Sequence, residues 1–137
     1  MANGAYAKSI KKMVDGTALQ WTGTLWKCVL VDATYTVNLA TDAFLSDILV
    51  GKRVATSAAL TTVADADDGI FNADPVVFTA VSGSAAPYLV VYRDTAGADT
   101  VKELLLYFDT LSGLPVTPNG TNVTVNWSTG TDKIFHI

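Results

Sequence analysis

From Arg53 to Ile137 the chain falls into short runs of Val, Thr and aromatic residues, interrupted by clusters of Gly, Asp, Asn and Pro. The interruptions come about every eight to twelve residues, the spacing of antiparallel strands that fold back on one another. The runs are Arg53 to Val63, Gly69 to Asn72, Val76 to Val81, Tyr88 to Arg93, Val101 to Phe108, Asn122 to Trp127 and Lys133 to Ile137. This pattern predicts a mainly β chain, an antiparallel β-sandwich or jelly-roll-like single domain. Tyr88 to Tyr92 and Leu104 to Phe108 are apolar at successive positions. A strand solvated on one face would alternate, so each is expected to lie between two layers or between the core and a neighbouring subunit. Asp94 to Asp99 is expected to join them as a hairpin loop. Lys102 to Leu106 also suits a helix by propensity.

The region before Arg53 reads differently. Leu25 to Val31 is too short and too β-branched for an independent helix and predicts a buried strand. Tyr6, Ile10, Met13 and Val14 fall on one side of a short helix that Asp15-Gly16 should stop. Thr41-Asp42 supplies a capping residue, and Phe44, Leu45, Ile48 and Leu49 form a stripe ended by Gly51, which predicts one or two turns of helix. Residues 1–20 are therefore expected to form an arm with a short helix, and residues 21–137 the β domain. Because Ala2 to Lys12 is only sparsely apolar, it is expected to find little room in the core and to reach onto a neighbouring subunit. The core is expected in the strands Tyr88 to Arg93 and Val101 to Phe108, with Asp65 to Asp74 and Leu114 to Thr121 on the surface.

A 137-residue chain is the size of one domain and buries roughly two-thirds of its unfolded surface without a disulfide or metal staple. Only 16% of its residues are charged, against about 25% in an average soluble domain. Either partners cover part of the outside, or Ala and Thr do so on solvent-facing strands. The net charge is -4 and the basic residues are scattered, so nucleic acid is not an expected partner. No apolar stretch is long enough to span a bilayer and no leader is evident at Met1 to Tyr6. No membrane partner is expected, and synthesis in the cytoplasm is.

Catalytic chemistry finds few candidates. Cys28 sits in an apolar run and reads as a buried, inert thiol. His136 lies at the end of the last run, without a glycine-flanked serine or other nucleophile motif to serve. One Cys and one His cannot supply a zinc ligand set. The acidic cluster Asp65-Ala66-Asp67-Asp68-Gly69, with Asn72 and Asp74, departs from the EF-hand pattern in the place of its glycine and its missing closing glutamate. It reads as a turn whose aspartates bond their own backbone. Val50-Gly51-Lys52 lacks the glycine loop of a phosphate-binding motif. Asn119, Asn122 and Asn126 begin N-x-Ser/Thr triplets but read as turn and strand residues. With one His, one Cys and one Glu, the chain has little with which to do acid–base work near neutral pH. A non-enzymatic binding or scaffolding role is expected, with no cofactor and no metal.

Trp21, then Leu25 to Asp32, Thr34 to Leu39 and Thr41 to Ile48 follow an order similar to the N-terminal half of a family of small virion proteins of tailed bacteriophages. Asp68 to Asp74, Val90 to Thr95, Gly113 to Gly120 and Lys133 to Phe135 resemble its second half. The resemblance implies a structural protein on the capsid surface. Its expected form is a decoration or cement protein, often a trimer, that binds the outside of the major capsid protein and stabilises the head. A tail, baseplate or fibre component with an adhesin-like β module is the alternative, in which Trp21, Trp26, Trp127 and the tyrosines would stack on sugar. A small phage-borne hydrolase is a third. Tyr6, Ile10, Trp21, Trp26, Trp127 and Phe135 are the expected assembly contacts.

Overall fold

In the computed structural model, which describes residues 3–14, 25–63, 70–127 and 134–136, the β-branched runs form antiparallel strands. In chain order the elements are β1 (Gly4–Ala5), α1 (Ala7–Val14), β2 (Trp26–Val31), β3 (Arg53–Thr56), β4 (Thr62–Val63), β5 (Ile70–Ala73), β6 (Val76–Phe78), β7 (Tyr88–Arg93), β8 (Leu104–Phe108), β9 (Val123–Val125) and β10 (Phe135–His136). Single 3-10 turns lie at Leu45–Asp47, Val50–Lys52 and Asp99–Val101. The largest sheet has the order β1-β8-β7-β2-β3, beside a three-stranded sheet β10-β5-β4 and a ribbon β6-β9. The chain is a single small, sandwich-like domain, as the spacing of the runs predicts. The run from Arg53 to Val63 is divided, because Ser57 and Leu60 donate backbone bonds to Cys28 and Trp26 and follow β2 irregularly between β3 and β4.

The large sheet has no solvated face at its centre. Alternation sends Trp26, Cys28, Leu30, Leu89 and Val91 into one cluster with Val76, Phe78 and Val125 of the ribbon. It sends Val29, Val31, Val90 and Tyr92 into a second cluster with Tyr6, Tyr35, Leu45 and Ile48. Tyr88–Arg93 and Leu104–Phe108 thus lie between layers, and the loop between them makes a hairpin. In β8 the pairing steps from Val91↔Leu106 to Tyr92↔Leu104. Leu105 is the extra residue of this bulge and joins Leu106 in the first cluster, while Leu104 lies in the second. Every residue of β8 is buried, and full burial of each such aliphatic side chain contributes about 1.5–3 kcal/mol.

The predicted helix at 43–49 is replaced by an extended stretch and a single turn. Leu45 donates to the Lys102 carbonyl at 2.8 Å and Leu104 donates to the Ala43 carbonyl at 2.9 Å, so backbone pairing with the start of β8 claims groups a helix would need. The Asp47 carboxylate then accepts from the Ala43 and Phe44 amides at 2.7 and 3.0 Å. Asp42, predicted to cap the helix, instead accepts from the Tyr35 hydroxyl at 2.8 Å and the Asn38 amide at 3.1 Å. Similarly, Asp99–Val101 is a turn, and β8 begins only at Leu104.

The N-terminal segment also departs from expectation, since the core has a seat for it. Gly4 and Ala5 pair with Tyr107 and Leu106, and Gly4 lets Leu39 into the space a Cβ would fill. Tyr6 is fully buried and shares a 2.8 Å hydrogen bond with the Tyr35 hydroxyl, which continues to Asp42. The Ser9 hydroxyl donates to the Leu104 carbonyl. Asn3 accepts from the Asp109 and Thr110 amides at 2.8 and 3.0 Å and donates to the Thr110 carbonyl at 3.1 Å. Together these groups close the outer edge of β8 from Leu104 to Thr110. Residues 3–10 therefore belong to the β domain, and the predicted stop at Asp15-Gly16 lies outside the described residues.

Tyr6→Ala is expected to lower stability by about 3–5 kcal/mol, the usual range for emptying a buried aromatic site. Tyr6→Phe is expected to cost only about 1 kcal/mol, because Tyr35 keeps Asp42 as an acceptor. Chemical denaturation of both variants checks the pair, and equal losses would mean that the hydroxyl rather than the ring holds the segment. Burial raises the pKa of Tyr6, Tyr35 and Tyr107 above the ordinary value of 10.0, and that of Tyr92 to about 12. The stability these groups contribute is complete below pH 10.0 and is lost as the pH rises, since the unfolded chain ionises first. Tyrosinate absorbance and loss of near-ultraviolet dichroism are expected to rise together in one alkaline step. Ionisation of these rings near pH 10.0 with the fold intact would contradict their burial.

Candidate assembly surface

The segment from Leu45 to Lys52 crosses the second face of the large sheet, from the start of β8 to the beginning of β3. Its inner residues Leu45 and Ile48 are buried, whereas Leu49 is 62% and Val50 73% exposed. Val101, on the neighbouring turn, is 44% exposed. Two outward apolar residues in succession are unusual beside a core that has taken in the other aliphatic side chains of the same segment.

Arg53 fixes the backbone that presents them. Its Nε donates to the Ile48 carbonyl at 2.8 Å, Nη2 to the Leu45 carbonyl at 2.7 Å and Nη1 to the Asp99 carboxylate at 2.8 Å. The planar fork of donors thus ties the Leu45–Asp47 turn to the Asp99–Val101 turn, a geometry that lysine cannot reproduce. At the other end of the segment, the Lys52 ammonium donates to the Thr34 carbonyl at 2.9 Å. The hairpin bearing Val101 is pinned as well. Asp94 lies 2.8 Å from Lys27 and 2.7 Å from Lys102, and hydrogen bonds from Lys102 and then Lys27 hold its carboxyl below the ordinary range. Arg93 and Glu103 pair at 3.5 Å across the same hairpin. The result is an apolar projection on turns held by charge-assisted bonds, which loses little freedom when it packs against a partner.

The contacts expected from the sequence are mostly elsewhere. Tyr6 and Trp26 have no exposed surface and Trp127 is only 7% exposed, so within one chain these are core residues. Trp127 packs against Phe108 with ring centroids 5.6 Å apart and donates its indole N–H to the Asp74 carbonyl at 3.0 Å. Their bulk is what the first cluster needed, and aromatic size alone does not separate a core anchor from a surface anchor. Ile10 is half-buried against that cluster. Phe135 pairs through its backbone with Phe71 of β5, and Trp21 lies outside the described residues. Leu49 was legible only as part of a predicted helical stripe. The signal that could have found the projection is the run Ile48-Leu49-Val50 before Gly51, more apolar positions than one turn can bury.

The remaining candidates are dispersed over the fold. Cys28 is fully buried, burial pushes its thiol up, and its amide donates to the Ser57 hydroxyl at 2.9 Å. His136 pairs through its backbone with Ile70. Asp65 to Gly69 lie outside the described residues, while the Asn72 side-chain Oδ1 accepts from the Ala73 amide at 2.9 Å and Asp74 is exposed. Asn119 accepts from the Thr121 amide at 3.1 Å, the turn role expected of it, and Asn122 accepts from the Ala80 amide at 3.0 Å. The Leu114 to Thr121 loop is largely at the surface, apart from buried Val116, which pairs with Ala86. Two small clefts lie among the described residues, one of about 170 Å³ between Ala58–Thr61 and Asp74–Val77 and one of about 100 Å³ beside Lys8, Phe44 and Glu103. No helix among the described residues is long and apolar enough to cross a membrane.

The chain matches no protein-family model and no curated protein.

Arg53→Lys is expected to lose about 2 kcal/mol of stability, because one ammonium replaces a fork that serves two carbonyls and a carboxylate. Amide exchange at 45–52 and 99–101 should accelerate well beyond that in β2 and β7. Uniform acceleration throughout the chain would show that Arg53 is only a general stabiliser.

Proposed function

We propose that the chain is a structural virion protein of a tailed phage, a decoration or cement protein that binds the outer surface of the major capsid protein. The observation that carries this reading is the pair Leu49 and Val50, displayed outward on turns that Arg53 locks. A preorganised apolar projection suits binding to a fixed lattice of identical sites, where modest affinity per copy is multiplied by symmetry. The ordered segments that resemble small phage virion proteins support the same role. So does the placement of Trp26 and Trp127 in the core, which removes two of the aromatic groups that a sugar-binding tail module would use. In this reading the protein works as a homotrimer at the capsid surface, is made in the host cytoplasm, and contributes packing surface rather than catalysis.

Electron microscopy of particles assembled with and without the protein tests the assignment. Density on the outside of the head is expected, and its absence from mature particles, or its presence only on the tail, would overturn the capsid reading. Leu49→Asp combined with Val50→Asp is expected to lower particle affinity tenfold or more, about 1.4 kcal/mol, with the fold unchanged. Undiminished binding would place the contact on another face.

A further inference from the structure

The seat of the N-terminal segment has a property its own chain does not exhaust. β8 is buried at every position, and residues 3–9 satisfy its outer edge: Asn3 at Asp109 and Thr110, Gly4 and Ala5 opposite Tyr107 and Leu106, the Tyr6 amide on the Leu105 carbonyl at 2.9 Å and Ser9 on Leu104. Tyr6 fills the second cluster and reaches Tyr35, and the Ala7 amide donates to the Leu39 carbonyl at 2.9 Å. These partners all come from distant parts of the sequence.

We propose that this seat is an exchange site, which the N-terminal segment of a second copy of this chain fills in place of the chain's own. A second copy offers identical groups to the same edge, so both arrangements keep every contact named above. The balance between them is set by the effective concentration that the covalent connection gives the chain's own segment, commonly on the order of millimolar. Exchange of an identical element is a low-cost route from monomer to oligomer. The biological role rests on the assembly reading above: copies held side by side on a particle reach local concentrations at which exchange competes and links neighbours. The exchange itself is a property of the chain and is tested without particles.

Two full-length single variants, Asn3→Cys and Thr110→Cys, are refolded together over a range of concentrations and then oxidised. These positions are hydrogen-bonded to each other in the seat. A disulfide between the two different copies, increasing through about 1 mM protein, is the expected result. The double variant should link within one chain in dilute solution, and Asn3→Cys mixed with Ala96→Cys should not link. Intrachain linkage of the double variant at every concentration, with no linkage in the mixture, would overturn exchange. A second measurement uses no substitutions: wild-type copies of ordinary and heavy isotope content are refolded together at high concentration and diluted into native mass spectrometry. Mixed dimers that persist on dilution are expected, and monomers alone would overturn the proposal. Neither result depends on whether the protein is found on phage heads, so failure of exchange and failure of the virion assignment are separate outcomes.

Discussion

The pairing of Trp26–Val31 with Tyr88–Arg93 is the interaction on which the rest of the molecule depends. It runs in unbroken register from Trp26↔Arg93 to Val31↔Tyr88, and its side chains enter two different cores according to parity alone. A one-residue slip would exchange the two sets, sending Trp26, Cys28 and Leu30 toward the space shaped for Val29 and Val31. Because neither face meets water, each needs a cover. The ribbon supplies one, and the irregular segments 35–48 together with Tyr6 supply the other. The apolar projection exists because the second cover is a crossing segment with one side inward and one side out.

That division explains what could be read from the residues. The two-faced strands were legible because successive apolar residues leave a strand no solvated side, and the hairpin between them because Asp94 to Asp99 carries no apolar residue larger than alanine. The short helix Ala7–Val14 was legible from the spacing of its apolar positions. The helix expected at 43–49 was not formed, since its periodicity and cap describe local preference only. Partners about sixty residues away claim the backbone of Ala43 and Leu45. The division of the Arg53 to Val63 run arises in the same way, from bonds that Cys28 and Trp26 accept. Periodicity reports which side of an element is apolar, and it carries no account of which distant strand will claim the amides.

The candidate surface was less legible for a related reason. Large aromatic residues were expected at contacts, yet two clusters around a central sheet need bulk, and Trp26, Trp127 and Tyr6 provide it. The exposed residues are aliphatic ones that directly follow buried Ile48, and only the path of the segment distinguishes Ile48 from Leu49. Arg53 gave no motif, because its acceptors are backbone carbonyls at Leu45 and Ile48 and a carboxylate in another loop. Any residue could have supplied the carbonyls, so no side-chain pattern marks them.

The scarcity of charge also takes on a structural meaning. Asp94 is shared between Lys27 and Lys102, Asp99 is engaged by Arg53, and Glu103 pairs with Arg93. These groups fasten the turns at the ends of β7 and β8 rather than building a field that extends outward. Charges paired with such near neighbours exert little long-range steering, so under the assembly reading proposed above these turns would recognise a partner at contact, through shape and apolar burial. Rigidity of the contacting residues then decides affinity, because each side chain or turn that must be ordered on binding subtracts from the modest gain of burying a Leu and a Val. The internal use of arginine and lysine and the outward display of Leu49 and Val50 are in this sense one arrangement: the charges hold still the turns that carry the apolar pair, as the proposed assembly role requires.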